Sequence, residues 1–332
     1  MGRRRKLYSN EFLRAEPFLI ALSIAIAIGF RLSAFIWFEQ RFTDELPLFS
    51  VLGFQLPPAP LAVMVTLNVL LGVCFVTLMQ LQVTNHSLLR SRNFLPLFFA
   101  LILSSMNPNI ANANLNYILL LVLIFIYFQL FNCYHIDYPQ VKVFNLSVVM
   151  GFLCLLDIRL MCLMPVFWYM LFSYKALTVK SFMASLLGLG MAFGLLALYL
   201  YITGADVASM RPLFREFTEI ERQPHSPLTR ARGIYLGTIF PVCSISWLNL
   251  KRSPEREQIR VILASNRVAL VCTNMLSVFF LTSDLLLAAT IVPMTILLGY
   301  LFSSVSGWFF RILFVLFIAA VFTNFVFLLW KY

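Results

Sequence analysis

Runs of about 20 apolar residues, the length a helix needs to cross a bilayer, recur in this chain from Pro17 to the C-terminus with short polar interruptions. A chain so patterned cannot hide all its apolar surface in one water-bounded core. It predicts an all-α fold: a polytopic integral membrane protein of about ten or eleven transmembrane helices with lipid as its main solvent. Composition agrees. Of 332 residues, 61% are hydrophobic and 12% charged, against about 25% charged in an average soluble domain. Neither a repeat with a period of about 20–50 residues nor a low-complexity tract is present, so residues 1–332 read as one transmembrane domain.

The first helix is expected over about Pro17–Phe38. The basic start, Arg3-Arg4-Arg5-Lys6, resembles the charged end of a signal peptide. Arg31 within the apolar run, and no small-residue cleavage site behind it, predict instead a retained helix. A Pro-containing first outer loop, 39–58, leads to a second helix near Ala59–Gln82. Phe94–Ser105 is short and reads as half of a hairpin that turns at 106–114 and returns over Leu115–Cys133. The apolar stretch Val143–Tyr174 is interrupted by Asp157-Ile158-Arg159. It reads as two short helices meeting at the charged pair, or as one tilted helix. Helices over Phe182–Thr203 and Gly233–Leu250, two flanking Asp284, and a last one over Phe310–Trp330 complete the map.

The net charge of +11 sits in short Lys/Arg clusters between the apolar runs. With a cytoplasmic N-terminus, about sixteen of the Lys and Arg residues fall in the inner loops and about eight in the outer segments, five of those in 204–232, as the positive-inside rule requires. This expects an integral protein of the plasma (bacterial inner) membrane, with membrane lipids as partners. No basic stripe interleaves with exposed aromatics, which argues against a nucleic-acid partner.

Few residues remain for chemistry. His86, His135 and His225 lie in three different loops, so no metal site built on several histidines is expected. Cys74, Cys133, Cys154, Cys162, Cys243 and Cys272 form no CxxC and read as small packing residues. No Gly-rich phosphate loop, GxSxG or HExxH occurs. What is left is a set of charges at the outer face. Asp44 and Glu45, in the first outer loop, read either as solvated interfacial acids or as a carboxylate whose partial burial suits it to act as a general base. Arg31, about two turns inside the first helix, must snorkel, or line a polar cavity where it can hold a phosphate. Asp157 and Arg159 are two residues apart and would point to different sides of a helix, so the pair suggests a helix break. The 204–232 segment places Leu213, Phe214, Phe217 and Ile220 at helical spacing, with Arg215 and Glu216 elsewhere on the wheel. It reads as an amphipathic outer helix that serves as lid or anchor, or that brings Arg211 and Arg215 to a lipid-linked phosphate.

Taken in order, Arg31-Leu32, Asp44-Glu45, Leu56-Pro57-Pro58-Ala59-Pro60-Leu61, Leu67-Asn68 to Gly72, Ser105-Met106-Asn107-Pro108 and Gly151 to Asp157-Ile158-Arg159 resemble the membrane core of GT-C glycosyltransferases, especially the protein O-mannosyltransferase-like branch. The resemblance covers residues 20–175. It departs at Leu56, where the family carries His, and at Arg159, where Lys is usual. Over its full length the chain also resembles an uncharacterised family of multi-pass bacterial envelope proteins, through Arg92-Asn93-Phe94-Leu95-Pro96-Leu97 and Ile291–Tyr300. The GT-C resemblance implies transfer of a sugar from a polyprenyl-phosphate donor to an envelope acceptor. Asp44 would be the base with Glu45 beside it, and Arg31, Arg159 and Arg211, with Arg215 near, would meet the donor phosphate. The alternative from another class is a non-catalytic scaffold or assembly subunit with envelope protein partners. A transporter is disfavoured by the absence of an inverted repeat.

Overall fold

The computed structural model describes residues 16–37, 61–89, 94–106, 114–204, 257–280, 284–304 and 308–330. All regular structure among them is helical. In chain order the helices are α1 (Glu16–Trp37), α2 (Leu61–Asn85), α3 (Leu95–Met106), α4 (Asn114–Phe131), α5 (Gln140–Leu156), a 3-10 helix (Ile158–Leu163), α6 (Met164–Ser173), α7 (Val179–Thr203), α8 (Glu257–Phe279), α9 (Asp284–Ala289), α10 (Ile291–Ser304) and α11 (Trp308–Trp330). Within α2, α7 and α8, the stretches Val65–Asn85, Val179–Thr203 and Glu257–Ser277 are long and apolar enough to cross a membrane. Only 28% of the α7 window is buried against the rest of the chain. Its outward face carries Val179, Leu187, Tyr201 and Ile202, a surface suited to lipid rather than water. The other apolar helices are shorter.

Local chemistry sets the ends of these elements. Thr178 and Ser181 form a reciprocal capping box that starts α7 at Val179, a turn before the expected Phe182, and Gly204 closes the helix in the left-handed region at φ 67°. The Val143–Tyr174 stretch is two helices, not one tilted helix. Asp157 leaves the helical region at φ −140°, ψ 105°, and its side chain accepts from the Arg159 N–H to open the 3-10 turn. Between α9 and α10 the break has a covalent cause. Pro293 lacks the N–H that would reach Ala289, and its ring crowds that carbonyl, so α9 stops there. The expected helix over Gly233–Leu250 and the amphipathic 204–232 segment lie outside the described residues, apart from the Gly204 cap.

Side-chain contacts fix which helix ends share a face of the bundle. At the first face, Arg31 near the end of α1 meets Asn68 near the start of α2 and Ser105 near the end of α3. At the second, His86 just after α2 stacks on Phe128 and packs edge-on to Phe131 near the end of α4, and Phe131 meets Tyr174 at the end of α6. Gln80 accepts from the Leu97 N–H at 3.2 Å, setting the start of α3 at that face too. Tyr127 bonds Asn266, and Tyr174 bonds Ser265 at 2.7 Å, so α8 begins at the second face.

Two short helices form the centre. Every residue of α10 from Ile291 to Phe302 is buried, as expected of a helix apolar all round. It packs on α3, where a Cβ at Gly299 would lie 3.3 Å from the Pro96 ring. Phe98, Phe99, Phe302, Phe314 and Phe317 close the gap to α11 with edge-on and stacked rings.

Helices α5 and α7 make the most extensive pairing among the described helices, and they run parallel. Small residues allow the backbones this approach. A Cβ at Gly188 would stand 2.6 Å from the Phe144 carbonyl oxygen, and one at Gly151 would stand 2.8 Å from the Ala192 Cβ. Gly188→Leu should therefore push the two helices apart and lower the unfolding temperature of the detergent-solubilised protein, by overpacking worth about 1–3 kcal/mol. Gly190→Leu, where a Cβ would meet nothing within 4 Å, should leave it unchanged. Equal shifts in the two variants would contradict this packing.

Candidate functional site

Arg31 lies six residues before the end of α1, or about 9 Å below it at a rise of about 1.5 Å per residue. The residue is 9% exposed, so it does not snorkel. Its Nε donates to Ser105 Oγ at 3.1 Å. Its Nη1 donates to Asn68 Oδ1 at 3.1 Å and to the Asn68 carbonyl oxygen at 3.4 Å. Asn68 and Ser105 are themselves fully buried. Gly72, one turn on from Asn68 and therefore on the same face of α2, completes the cradle. A Cβ there would fall within 2.8 Å of the guanidinium carbon, so the plane of Arg31 rests on bare α2 backbone.

Asp157 and Arg159 form a second bonded set. Arg159 Nε donates to Asp157 Oδ1 at 2.8 Å, and the Arg159 backbone N–H donates to the same oxygen at 3.0 Å. Their side chains are 7% and 14% exposed. The sequence argument against pairing holds for a continuous helix only. Here Asp157 is extended and caps the 3-10 turn, which turns both groups to one side. Because α5 starts beyond the second-face turn and runs 17 residues to Leu156, this set lies toward the first face, as Arg31 does. Of the remaining expected residues, Asp44, Glu45, Arg211 and Arg215 lie outside the described residues.

A further polar group escaped the sequence reading. Tyr127, Tyr174, Ser265 and Asn266 are joined by two hydrogen bonds that key α8 to α4 and α6, and the Tyr174 carbonyl accepts from the His135 N–H at 3.1 Å. Nothing in the sequence pairs a tyrosine near the end of one apolar run with a serine well inside another. At the same face, burial lowers the pKa of the His86 imidazole and pushes that of the Cys133 thiol up. Both therefore favour their neutral forms. Among the described residues no three His, Cys, Asp or Glu side chains gather as a metal site. No family model, no curated protein and no solved structure matches the chain.

The Asp157–Arg159 geometry makes a signed prediction. Asp157→Ala removes the side chain that caps the 3-10 turn, a loss typically worth about 0.5–2 kcal/mol, and with it the carboxylate that Arg159 Nε meets at 2.8 Å. The double variant Asp157→Ala/Arg159→Met removes the partly buried guanidinium as well. It should unfold at a higher temperature in detergent than the single variant. A double variant less stable than the single would contradict the assignment.

Proposed function

We propose that this chain is an inner-membrane protein of ten or eleven crossing helices with a cytoplasmic N-terminus, and that it is a GT-C-like glycosyltransferase. It would move a sugar from a polyprenyl-phosphate donor to an envelope acceptor at the face where α1 ends. The observation that carries this reading is the Arg31 cradle. Three segments far apart in sequence, Arg31-Leu32, Leu67 to Gly72 and Ser105-Met106, each belong to the ordered pattern that resembles the GT-C core, and Arg31, Asn68, Gly72 and Ser105 from them meet at one buried guanidinium. A buried cation beside a membrane face is suited to the phosphate of a lipid-linked donor.

In this reading the acceptor hydroxyl oxygen attacks the anomeric carbon of the donor sugar. The bond from that carbon to the phosphate oxygen breaks, and polyprenyl phosphate leaves with the electron pair. The acceptor proton passes to Asp44, with Glu45 beside it. Arg31 and Arg159, with Arg211 and Arg215 from the 204–232 segment, offset the charge that grows on the departing phosphate. A second reading, a non-catalytic scaffold or assembly subunit with envelope protein partners, is favoured by one fact. Arg31 and Arg159 are both bonded within the bundle, as structural staples would be.

Asp44→Asn separates the two. Asn keeps the shape of the side chain but takes up no proton at neutral pH. Loss of a general base costs about 10²–10⁴-fold in rate, whereas a merely interfacial acid tolerates the change within about 0.5 kcal/mol of stability. Transfer from a radiolabelled polyprenyl-phosphate hexose, measured in nanodiscs, should fall by that factor with insertion and thermal stability unchanged. Full complementation of a deletion strain by the Asn variant would reject the transferase and leave the scaffold.

A further inference from the structure

Helices α5 and α7 run parallel, so the positive ends of both peptide dipoles lie at the second face, where acids are favoured and cations are not. The chain does the reverse. The first turn of each helix holds no acid and one exposed lysine, Lys142 in α5 and Lys180 in α7. The positive-inside rule asks for basic residues on that side of the membrane, but it does not ask for them within a first helical turn. A third lysine joins the two. Helix α6 closes in a Schellman turn, with the Ala176 N–H donating to the Leu171 carbonyl at 2.9 Å and the Lys175 N–H to the Phe172 carbonyl at 3.0 Å. Lys175 holds the left-handed position of that turn at φ 58°, where glycine is usual, so an exposed cation is carried there against backbone strain.

Packing gathers these lysines at one edge of the bundle. The His135 N–H donates to the Tyr174 carbonyl at 3.1 Å, which joins the turn before α5 to the turn before α7. Burial pushes up the pKa of the Cys133 thiol and the Lys142 charge opposes that shift, so Lys142 lies over the same turn. The close approach of Gly188 to Phe144 and Val148 sets Lys142 and Lys180 within about 10 Å of one depth. Asp137 is the one acid in the two turns, and it makes no ion pair with any of the three lysines. Beside the charges Val141, Phe172 and Val179 are exposed, and α7 continues outward-facing with Leu187. Cations next to uncovered apolar side chains match a molecule with an anionic head and hydrocarbon tails. We propose that this edge, Lys142, Lys175 and Lys180 over the outward face of α7, is a binding surface for an anionic phospholipid. The headgroup phosphate meets the three ammonium groups, and the acyl chains lie along Val179 and Leu187. This goes beyond the transferase reading and holds equally for a scaffold.

The test uses the full chain in detergent, titrated with phosphatidylglycerol or with phosphatidylcholine of identical chains and followed by native mass spectrometry. Wild type should bind phosphatidylglycerol at least about tenfold more tightly than phosphatidylcholine. The variant Lys142→Gln/Lys175→Gln/Lys180→Gln should lose most of that preference while its unfolding temperature without lipid, read by intrinsic fluorescence, stays the same. Replacing the same three lysines by Arg should keep the preference, and Asp137→Asn should bind phosphatidylglycerol more tightly than wild type. Arg260→Gln removes an exposed charge at the start of α8 instead and should leave the preference intact. Soluble glycerol phosphate at the same concentration should not displace the lipid, since the apolar face of α7 supplies part of the affinity. Should the triple Gln variant fail to fold, Lys180→Gln alone and Asp137→Asn carry the same forecast in opposite directions. Equal binding of the two lipids by wild type, an undiminished preference in the Gln variants, an equal loss in Arg260→Gln, an Asp137→Asn protein that binds no tighter, or displacement by glycerol phosphate would each overturn the surface. None of these results touches the role of Asp44, so the transferase reading stands or falls on its own assay.

Discussion

A guanidinium 9% exposed inside an apolar bundle sets the terms for everything around it. Placing such a charge near a bilayer's centre costs at least about 2.5 kcal/mol, less toward an interface, unless it is bonded or hydrated. The chain meets this with neighbours drawn from α2 and α3, which fixes the relative depth of α1, α2 and α3, whose apolar faces alone would slide past one another. Leu-rich surfaces do not specify register in lipid, because the tails are as apolar as the side chains. Polar contacts do, and Arg31 with Asn68 and Ser105 performs at the first face what Tyr174 with Ser265 and Tyr127 with Asn266 perform at the second.

Those two polar layers orient the remaining helices. Helix α7 starts beside Tyr174 at the second face and runs parallel to α5, so Gly204 ends it toward the first. Helix α8 begins at the second face, and its early residues Ser265 and Asn266 are held there. In α11, Phe314 meets Phe98 and Phe302 toward the second face and Phe322 meets Phe30 toward the first, so α11 runs from the second face toward the first. The helices α3 and α10, too short to cross alone, are tolerated because most of their described surface is covered by protein.

The helices were legible in the sequence because hydropathy is a local property. Expected spans at Pro17–Phe38 and Phe310–Trp330 meet α1 and α11 within a few residues. The break at Asp157 was legible for the same reason, since two charges in an apolar run are costly in a continuous helix. The Asp157–Arg159 pairing was less so, because it depends on backbone dihedrals that periodicity assumes away. The α9–α10 break had a visible signal in Pro293 that competed with an otherwise unbroken apolar run. For the candidate site, Arg31 was legible as a charge out of place, but its partners were not. Asn68, Gly72 and Ser105 are ordinary residues in apolar helices and acquire meaning only through contacts 37 and 74 positions away.

The claim on which the reading depends is that alternate loops lie on opposite sides of a membrane, with the face where α1 ends turned outward. Single cysteines introduced at Ser209 and at Ser253, in a background with native cysteines replaced, test it directly in intact cells with a membrane-impermeant maleimide. Labelling at 209 and protection at 253 until the membrane is opened is the predicted result. Protection at 209 with labelling at 253, or labelling of both sites from outside, would contradict it.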